Sequence, residues 1–157
     1  MVKRRNQSSD QAFMLIELIA AITILLVLTT LALPLARNEI IRNREIRLHE
    51  DLRMMREAID RYKVDSDQGK IPIKVDTFGY PPDLQTLVDG VPVKGTAKGK
   101  YKYLRKIPVD PMTGTADWGL RAMQDDADSK SWGGQNVFDV YSKSQGTGLD
   151  GTAYADW

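Results

Sequence analysis

The chain has 157 residues, which allows one small domain with an appended segment, since domains usually hold about 100–150 residues. It has no cysteine, which excludes a disulfide framework, a thiolate nucleophile and a cysteine-based metal site. The formal net charge is +1, and residues 1–12 hold three basic side chains against one acidic side chain. The rest of the chain therefore carries a formal charge of −1, which argues against a nucleic-acid-binding protein.

An apolar run of 24 residues, 13–36, follows the short basic segment 1–12. About 20 apolar residues cross the hydrocarbon core of a bilayer as a helix, so this run is long enough to span it. Basic residues favour the cytoplasmic side, which predicts a single-pass protein with a cytoplasmic N-terminus and everything after Arg37 outside. A secretory signal peptide cut after Ala36 is the alternative, although the apolar core of such peptides usually has about 7–15 residues.

The segment 37–65 continues as a charged helix-forming sequence with no break after the apolar run. Its apolar residues recur at steps of three and four, which predicts an amphipathic helix whose stripe packs on the following domain: Ile41, Leu48, Leu52, Met55, Ile59 and Tyr62, with Glu45 in the one polar gap. Joined to the apolar run, the helix extends from Phe13 to about Lys63, close to ~75 Å at 1.5 Å per residue.

Pro34 lies near the junction of the two parts of this helix. An interior proline removes a backbone hydrogen bond, which predicts a kink or a loosened turn at 31–34.

The segment 66–157 is divided by glycine and proline into short pieces, which predicts a small β-rich domain. The sequence "PDLQTLVDG" predicts a brief helix. The pieces 100–109 and 136–142 are rich in aromatic and β-branched residues, which predicts strands of a small antiparallel sheet over the apolar stripe. The predicted fold class is therefore α+β, with one long N-terminal helix, half membrane-spanning and half amphipathic, packed on this sheet.

Three features mark the start of the apolar run: the basic leader 1–12, a small residue before Phe13, and a carboxylate at Glu17. In "AFMLIEL" they resemble the prepilin-type signal of the type IV pilin-like family. The resemblance implies cleavage between Ala12 and Phe13, followed by N-methylation of Phe13. Ala12 replaces the nearly invariant glycine of the family, so we expect slower or family-tolerated cleavage rather than none.

Glu17 is the only ionisable residue of the apolar run. A charge at the centre of a bilayer costs about 3 kcal/mol on insertion scales, and less near the end of a span. One interpretation is that the Glu17 side chain reaches back to the membrane–water interface. The resemblance implies another, in which Glu17 pairs with the cationic N-terminus of the same chain or of a neighbouring subunit and fixes the register of a filament. With the resemblance, we assign Glu17 and Pro34 to the residues that matter for filament assembly.

Three later segments are similar in order and spacing to the major pseudopilins of type II secretion: "GYPPDLQTLVDG", "YLRKIPVDPMTG" and "FDVYSKSQGTGLDGTAYADW". This resemblance implies a type IV pilin-like fold and a filament made of copies of the chain itself. The implied partners are minor pseudopilins, the prepilin peptidase and an inner-membrane assembly platform with its cytoplasmic ATPase. The implied location is the inner membrane, with the C-terminal domain in the periplasm.

The resemblance also implies one calcium ion in the acidic C-terminal loop, because hard cations prefer oxygen ligands. The matching carboxylates are Asp150 and Asp156, with Thr147 and Thr152 as carbonyl donors. A glycine-rich turn with solvated aspartates is the alternative interpretation.

Other polar and aromatic residues favour structural roles. Asp125, Asp126 and Asp128 lack the glycine and distal glutamate of a calcium-binding EF-hand loop and are interpreted as a solvated loop. The single histidine, His49, lies on the charged helix and is expected to face solvent, and no catalytic motif accompanies it, so we do not expect an enzyme. Trp118, Trp132 and Trp157 are expected to fill the edges of the core.

These observations predict a structural subunit of a pseudopilus in type II protein secretion, which polymerises through its N-terminal helix after cleavage of the leader. Two alternatives remain: a type IV pilin for adhesion or motility, and a membrane-anchored periplasmic binding domain outside any filament.

Overall fold

The structure is a computed structural model that describes residues 7–95, 99–126 and 128–157. Within the first helix, the side chains of residues 7–12 and 31–37 lie outside this description. The chain divides into two compact units, Met1–Ile41 and Arg42–Trp157. The second unit is an α+β domain with two small antiparallel sheets.

The predicted long helix is confirmed as α1, which spans Gln7–Asp67. It exceeds the predicted range of Phe13 to about Lys63 by a few residues at each end. The backbone is helical at Pro34, whose side chain lies outside the described residues. The kink near 31–34 therefore stays a prediction.

The apolar stripe of α1 forms the base of the core in the unit Arg42–Trp157. Five of the predicted stripe residues have relative exposures of at most 4%: Leu48, Leu52, Met55, Ile59 and Tyr62. They pack with buried residues from the rest of the unit, among them Leu87, Trp118, Val137 and Val140. Ile41, the first residue of the predicted stripe, is only partly buried, so the spacing identified the buried face correctly from Leu48 to Tyr62.

The predicted brief helix is confirmed as α2, Leu84–Asp89. Asp83 caps its start, since its carboxylate accepts a hydrogen bond from the Thr86 amide at 2.7 Å. Gly90 ends it with a φ of 79°, and a Cβ there would lie 2.7 Å from the Tyr101 carbonyl oxygen. Glycine is therefore required at this position.

Four short strands form two sheets instead of the single predicted sheet. β1 (Val91–Pro92) pairs with β2 (Lys100–Tyr101), and β3 (Gly119–Arg121) pairs with β4 (Asp139–Tyr141), both antiparallel. Of the predicted strand segments 100–109 and 136–142, only β2 and β4 are strands, and they belong to different sheets.

The expected strand 100–109 ends early because its backbone bonds elsewhere. The amides of Tyr103 and Leu104 both donate to the Leu87 carbonyl oxygen, at 3.0 Å, so they tie this segment to the end of α2. β3 was not predicted, and it depends on a glycine. A Cβ at Gly119 would lie 2.2 Å from the Tyr141 ring, so the ring crosses β3 where only glycine leaves room.

Candidate functional site

The N-terminal part of α1 presents an apolar surface on every side. The stretch Phe13–Thr30 has a mean hydropathy of 2.4 and is long and apolar enough to cross a membrane. Its large apolar side chains are between 47% and 70% exposed. A helix that is apolar all round needs lipid or other helices around it, which supports a single-pass anchor in this part of the chain.

The threonine hydroxyls of this stretch are satisfied within the helix. Thr23, Thr29 and Thr30 each donate, at 2.7 Å, to a backbone carbonyl oxygen three or four residues earlier. Such bonds give each hydroxyl hydrogen an acceptor, so that it is not left unpaired in an apolar environment. Among the side chains described in this stretch, Glu17 is the one polar group without such a bond inside its own helix.

Phe13 and Glu17 lie four residues apart on α1, so they share one face of the helix with about 5–6 Å between their Cβ atoms. A cut between Ala12 and Phe13 would place a new amino group at the first residue of this face. The side chain of Ala12 lies outside the described residues.

The C-terminal loop, residues 144–157, is closed by a β-bridge between Thr147 and Ala153. The Gly148 amide donates to the Thr152 carbonyl oxygen at 2.7 Å, and the Tyr154 amide donates to the Gly146 carbonyl oxygen at 3.2 Å. A short 3-10 helix, Tyr154–Asp156, follows the bridge.

The predicted calcium ligands are brought together only in part. Asp150 Oδ1 accepts hydrogen bonds from the Thr152 amide, at 2.9 Å, and from the Thr152 hydroxyl, at 2.7 Å. These bonds, the hydroxyl first, lower the pKa of Asp150. Thr147 lies on the other side of the bridge, and Asp156 is an exposed residue of the 3-10 helix.

The donor types suit calcium, although the number of carboxylates is low. Two carboxylates and two carbonyl oxygens supply four of the six to eight oxygens that calcium takes. Both oxygens of Thr152 already accept hydrogen bonds within the loop. Its carbonyl oxygen accepts from the Gly148 amide, and its hydroxyl accepts from the Trp157 indole at 2.5 Å. In the described part of the chain, no group of three or more acidic or histidine side chains is placed to hold a metal ion.

Glu45 fastens this loop to α1, a role that the sequence analysis missed. Its Oε1 accepts hydrogen bonds from the Leu149 amide at 2.8 Å and from the Tyr154 hydroxyl at 3.1 Å. Burial, followed by the bond to Glu45, raises the pKa of the Tyr154 phenol above its ordinary value. The polar gap in the apolar stripe is therefore the attachment point of the C-terminal loop.

Two arginines hold the end of the loop against β4. Arg56 donates to Asp139 at 2.7 Å, to the Val140 carbonyl oxygen at 3.1 Å and to the Trp157 carbonyl oxygen at 2.6 Å. Arg121 donates to the other Asp139 oxygen and to the Ala155 carbonyl oxygen, both at 3.4 Å. Asp139 thus joins α1, β3 and β4 in one network.

His49 is exposed, as predicted, but its ring is not simply solvated. It stacks on the Trp157 indole with 4.2 Å between ring centroids and an interplanar angle of 6°. The tryptophans have different environments. Trp118 is 3% exposed and donates to the Pro108 carbonyl oxygen, and Trp157 packs against the core as predicted. Trp132 is 39% exposed, so the prediction of a core-edge position is wrong for this residue.

The prediction of a solvated loop at residues 125–128 is wrong for Asp125. Its Oδ2 accepts from the Ala122 amide at 2.7 Å and from the Gly133 amide at 3.0 Å, so this carboxylate closes the loop. Asp126 and Asp128 are exposed, as predicted.

A second missed carboxylate is Asp110, which is fully buried. Its oxygens accept from the Met112 amide at 2.7 Å and from the Ser142 hydroxyl at 2.6 Å. The turn after "IPVDP" is thereby attached to the strand region of β4.

Comparison of the chain with models of known protein families, with curated proteins and with solved structures finds no match.

Proposed function

We propose that this chain is a structural subunit of a pseudopilus in type II protein secretion. The subunit is held in the inner membrane by α1, with its N-terminus in the cytoplasm and the domain Arg42–Trp157 in the periplasm. After cleavage between Ala12 and Phe13, copies polymerise through their N-terminal helices. The growing filament helps to move folded proteins through the outer membrane.

The observation that carries the proposal is Glu17 within the apolar part of α1. The three described threonines of this stretch bond to their own backbone, whereas the Glu17 carboxyl has no described hydrogen-bond partner in its helix. An unpaired carboxylate in lipid is costly, so a cationic partner would stabilise it. A new amino group on Phe13 would supply that positive charge, either one helical turn away in the same chain or from a neighbouring copy.

The α+β domain on the second half of α1 supports the same function. One helix carries both an exposed apolar segment and the buried stripe of a folded domain. A subunit that polymerises through its membrane helix needs this arrangement, because the domain then covers the outside of the filament. The pilin-like fold, the peptidase, the minor pseudopilins and the assembly platform with its ATPase are parts of this proposal.

One calcium ion in the C-terminal loop is also part of the proposal. Asp150 and Asp156 would hold it, with carbonyl oxygens of Thr147 and Thr152. The ion would supply positive charge between two carboxylates and so stiffen the loop that Glu45 and Arg56 already fasten.

Replacement of Glu17 tests the proposal directly. We expect Glu17→Ala, and also Glu17→Gln, to abolish filaments in electron micrographs and secretion of exoproteins, because both remove the charge. Thr23→Ala is the matched control, since it removes a polar group that is already satisfied within α1. It is expected to leave both readouts unchanged.

The outcomes separate the alternatives. Normal filaments and normal secretion with Glu17→Ala would contradict the proposal. Loss of motility with intact secretion would favour a type IV pilin. A membrane-anchored binding domain would show no filaments in the unmodified protein.

A further inference from the structure

A turn after α1 exposes an unusual amount of apolar surface. Within residues 73–78, Ile73 is 54% exposed, Val75 is 86% exposed and Phe78 is 61% exposed. Single exposed apolar residues are common, but three large ones within six residues form a patch of the kind that marks contact surfaces.

The backbone of this turn is strained and is held in place by buried groups. Phe78 has a φ of 54°, in the left-handed region that bulky side chains avoid, whereas Asp76, with a φ of 68°, is a residue type that tolerates this region. Thr77, which is 5% exposed, anchors the turn through its hydroxyl, which donates to the Lys74 carbonyl oxygen at 3.0 Å. A strained backbone that keeps apolar side chains in solvent points to a function for those side chains.

The same unit carries an open groove of ≈ 590 Å³. Its apolar wall includes Met54, Leu104 and Val109, of which Met54 is 48% and Val109 is 55% exposed. Its exposed basic residues form no ion pair within the described residues: Arg47, Arg105 and Lys106. Two carboxylates, Asp51 and Asp110, also line the groove, but both are buried, so the exposed charge of the groove is basic.

We propose that the turn 73–78 of one copy of this chain docks in the groove of the next copy. This inference rests on the proposed function, because it names the contact between domains of neighbouring subunits in the filament. The turn contributes Val75 and Phe78 as apolar anchors, and Asp76 meets the basic residues of the groove.

The size of the groove fits this occupant. A cavity of about 150 Å³ encloses a benzene ring, so the groove has room for the Phe78 ring together with a smaller side chain. Buried aromatic anchors in pockets carry much of the binding energy of protein interfaces.

A second copy, and not the same chain, supplies the turn. Gly79 packs against Ser66 and Asp67 near the end of α1, whereas Asp51 lines the groove. The 15 residues of helix between Ser66 and Asp51 place the turn about 20 Å farther along α1. Two complementary surfaces at different places on one molecule give a head-to-tail contact, which builds open filaments or closed rings instead of symmetric dimers.

Charge distinguishes two residues of the turn. Asp76 has the sign that the three basic residues of the groove attract, whereas Lys74 has the sign that they repel. Lys74→Glu is therefore expected to strengthen the contact and Asp76→Lys to weaken it. Arg105→Glu is expected to restore the contact in the Asp76→Lys background.

Cysteine cross-linking in the full-length, membrane-bound chain tests the inference, because the protein has no cysteine of its own. A short bifunctional thiol reagent on the variant Val75→Cys/Val109→Cys is expected to give a ladder of dimers, trimers and higher multimers. A mixture of the two single variants is expected to give dimers only. Val75→Cys/Leu149→Cys is the matched control, since Leu149 is 51% exposed but lies outside the groove.

The results separate this inference from the proposed function. Filaments without a ladder, or an equal ladder from the control pair, would overturn the docking contact alone. A strong dimer from Val75→Cys by itself would indicate a symmetric contact and would also overturn it. Absence of both filaments and ladder would contradict both proposals, whereas a ladder without filaments would support the contact and contradict the filament. Thermal melting of each variant confirms that the exposed replacements leave the domain folded.

Discussion

Glu45→Ala is expected to loosen the C-terminal loop from α1. The carboxylate accepts two hydrogen bonds from residues more than 100 positions away, the Leu149 amide and the Tyr154 hydroxyl. Its removal leaves both donors without this partner, and Tyr154 is only 6% exposed. The loss therefore affects a group that water reaches poorly.

The magnitude follows from the number and type of bonds. A hydrogen bond to a charged group contributes about 1.5–3 kcal/mol when buried. Glu45 is partly exposed and the Leu149 amide is near solvent, so we expect a total loss of about 2 kcal/mol. For a domain of this size, each kcal/mol shifts the melting temperature by roughly 4 °C, so the expected decrease is about 8 °C.

Thermal melting of the detergent-solubilised chain, followed by circular dichroism, measures this decrease. Glu45→Gln keeps an acceptor without the charge and is expected to lose less than half as much. Tyr154→Phe removes one of the two donors and is expected to lose about 1 kcal/mol, and less than that in the Glu45→Ala background. Glu50→Ala, an exposed residue of the same helix, is the control. A Glu45→Ala melting temperature equal to that of Glu50→Ala would refute the role of Glu45.

Three further predictions concern pH, calcium and packing. Burial raises the pKa of Asp51 in the folded chain above its ordinary value of 3.8. The charged carboxylate therefore lowers the stability of the fold. This loss is absent below pH 3.8 and grows as the pH rises through the pKa of the folded state. Asp51→Asn should therefore raise the melting temperature at pH 7 and change it little at pH 3, which melts across a pH series check. Calcium at about 1 mM should raise the melting temperature of the unmodified chain. Asp150→Asn keeps an acceptor for the Thr152 hydrogen bonds but should abolish this rise. If calcium does not raise the melting temperature of the unmodified chain, the result counts against a bound ion. Gly119→Ala should lower stability by about 1–3 kcal/mol in urea titrations, because its Cβ overlaps the Tyr141 ring; an unchanged midpoint would mean that the ring moves freely.

Local patterns in the sequence were enough to predict the helices. The stripe from Leu48 to Tyr62 has the period of a helix face, so its burial follows from spacing alone. Asp83 and Gly90 mark the ends of α2 by their capping chemistry. The strands were harder to predict, because each has only two or three residues, and such short strands are set by partners elsewhere in the chain.

The residues of the candidate site were likewise predictable only where the signal is local in the sequence. Glu17 is visible in the sequence because one charge stands out in an apolar run. Glu45 and Arg56 are not, because their partners lie about 80 to 110 positions away and only the folded chain brings them together. A polar residue inside an apolar stripe is the one signal that could have drawn attention to Glu45, since such a residue needs a partner in the folded domain.

Because Glu45 already attaches the C-terminal loop to α1, a bound calcium ion can add only part of the stability of this loop. Glu45 and Arg56 fasten the loop through residues other than the predicted ligands, so the ion would add to a loop that is already folded. With a dissociation constant of about 0.1 mM, 1 mM calcium adds about 1.4 kcal/mol, less than the expected loss from Glu45→Ala. Calcium should therefore recover only part of the melting temperature of Glu45→Ala. Full recovery would mean that the ion, and not Glu45, is the main attachment of the loop.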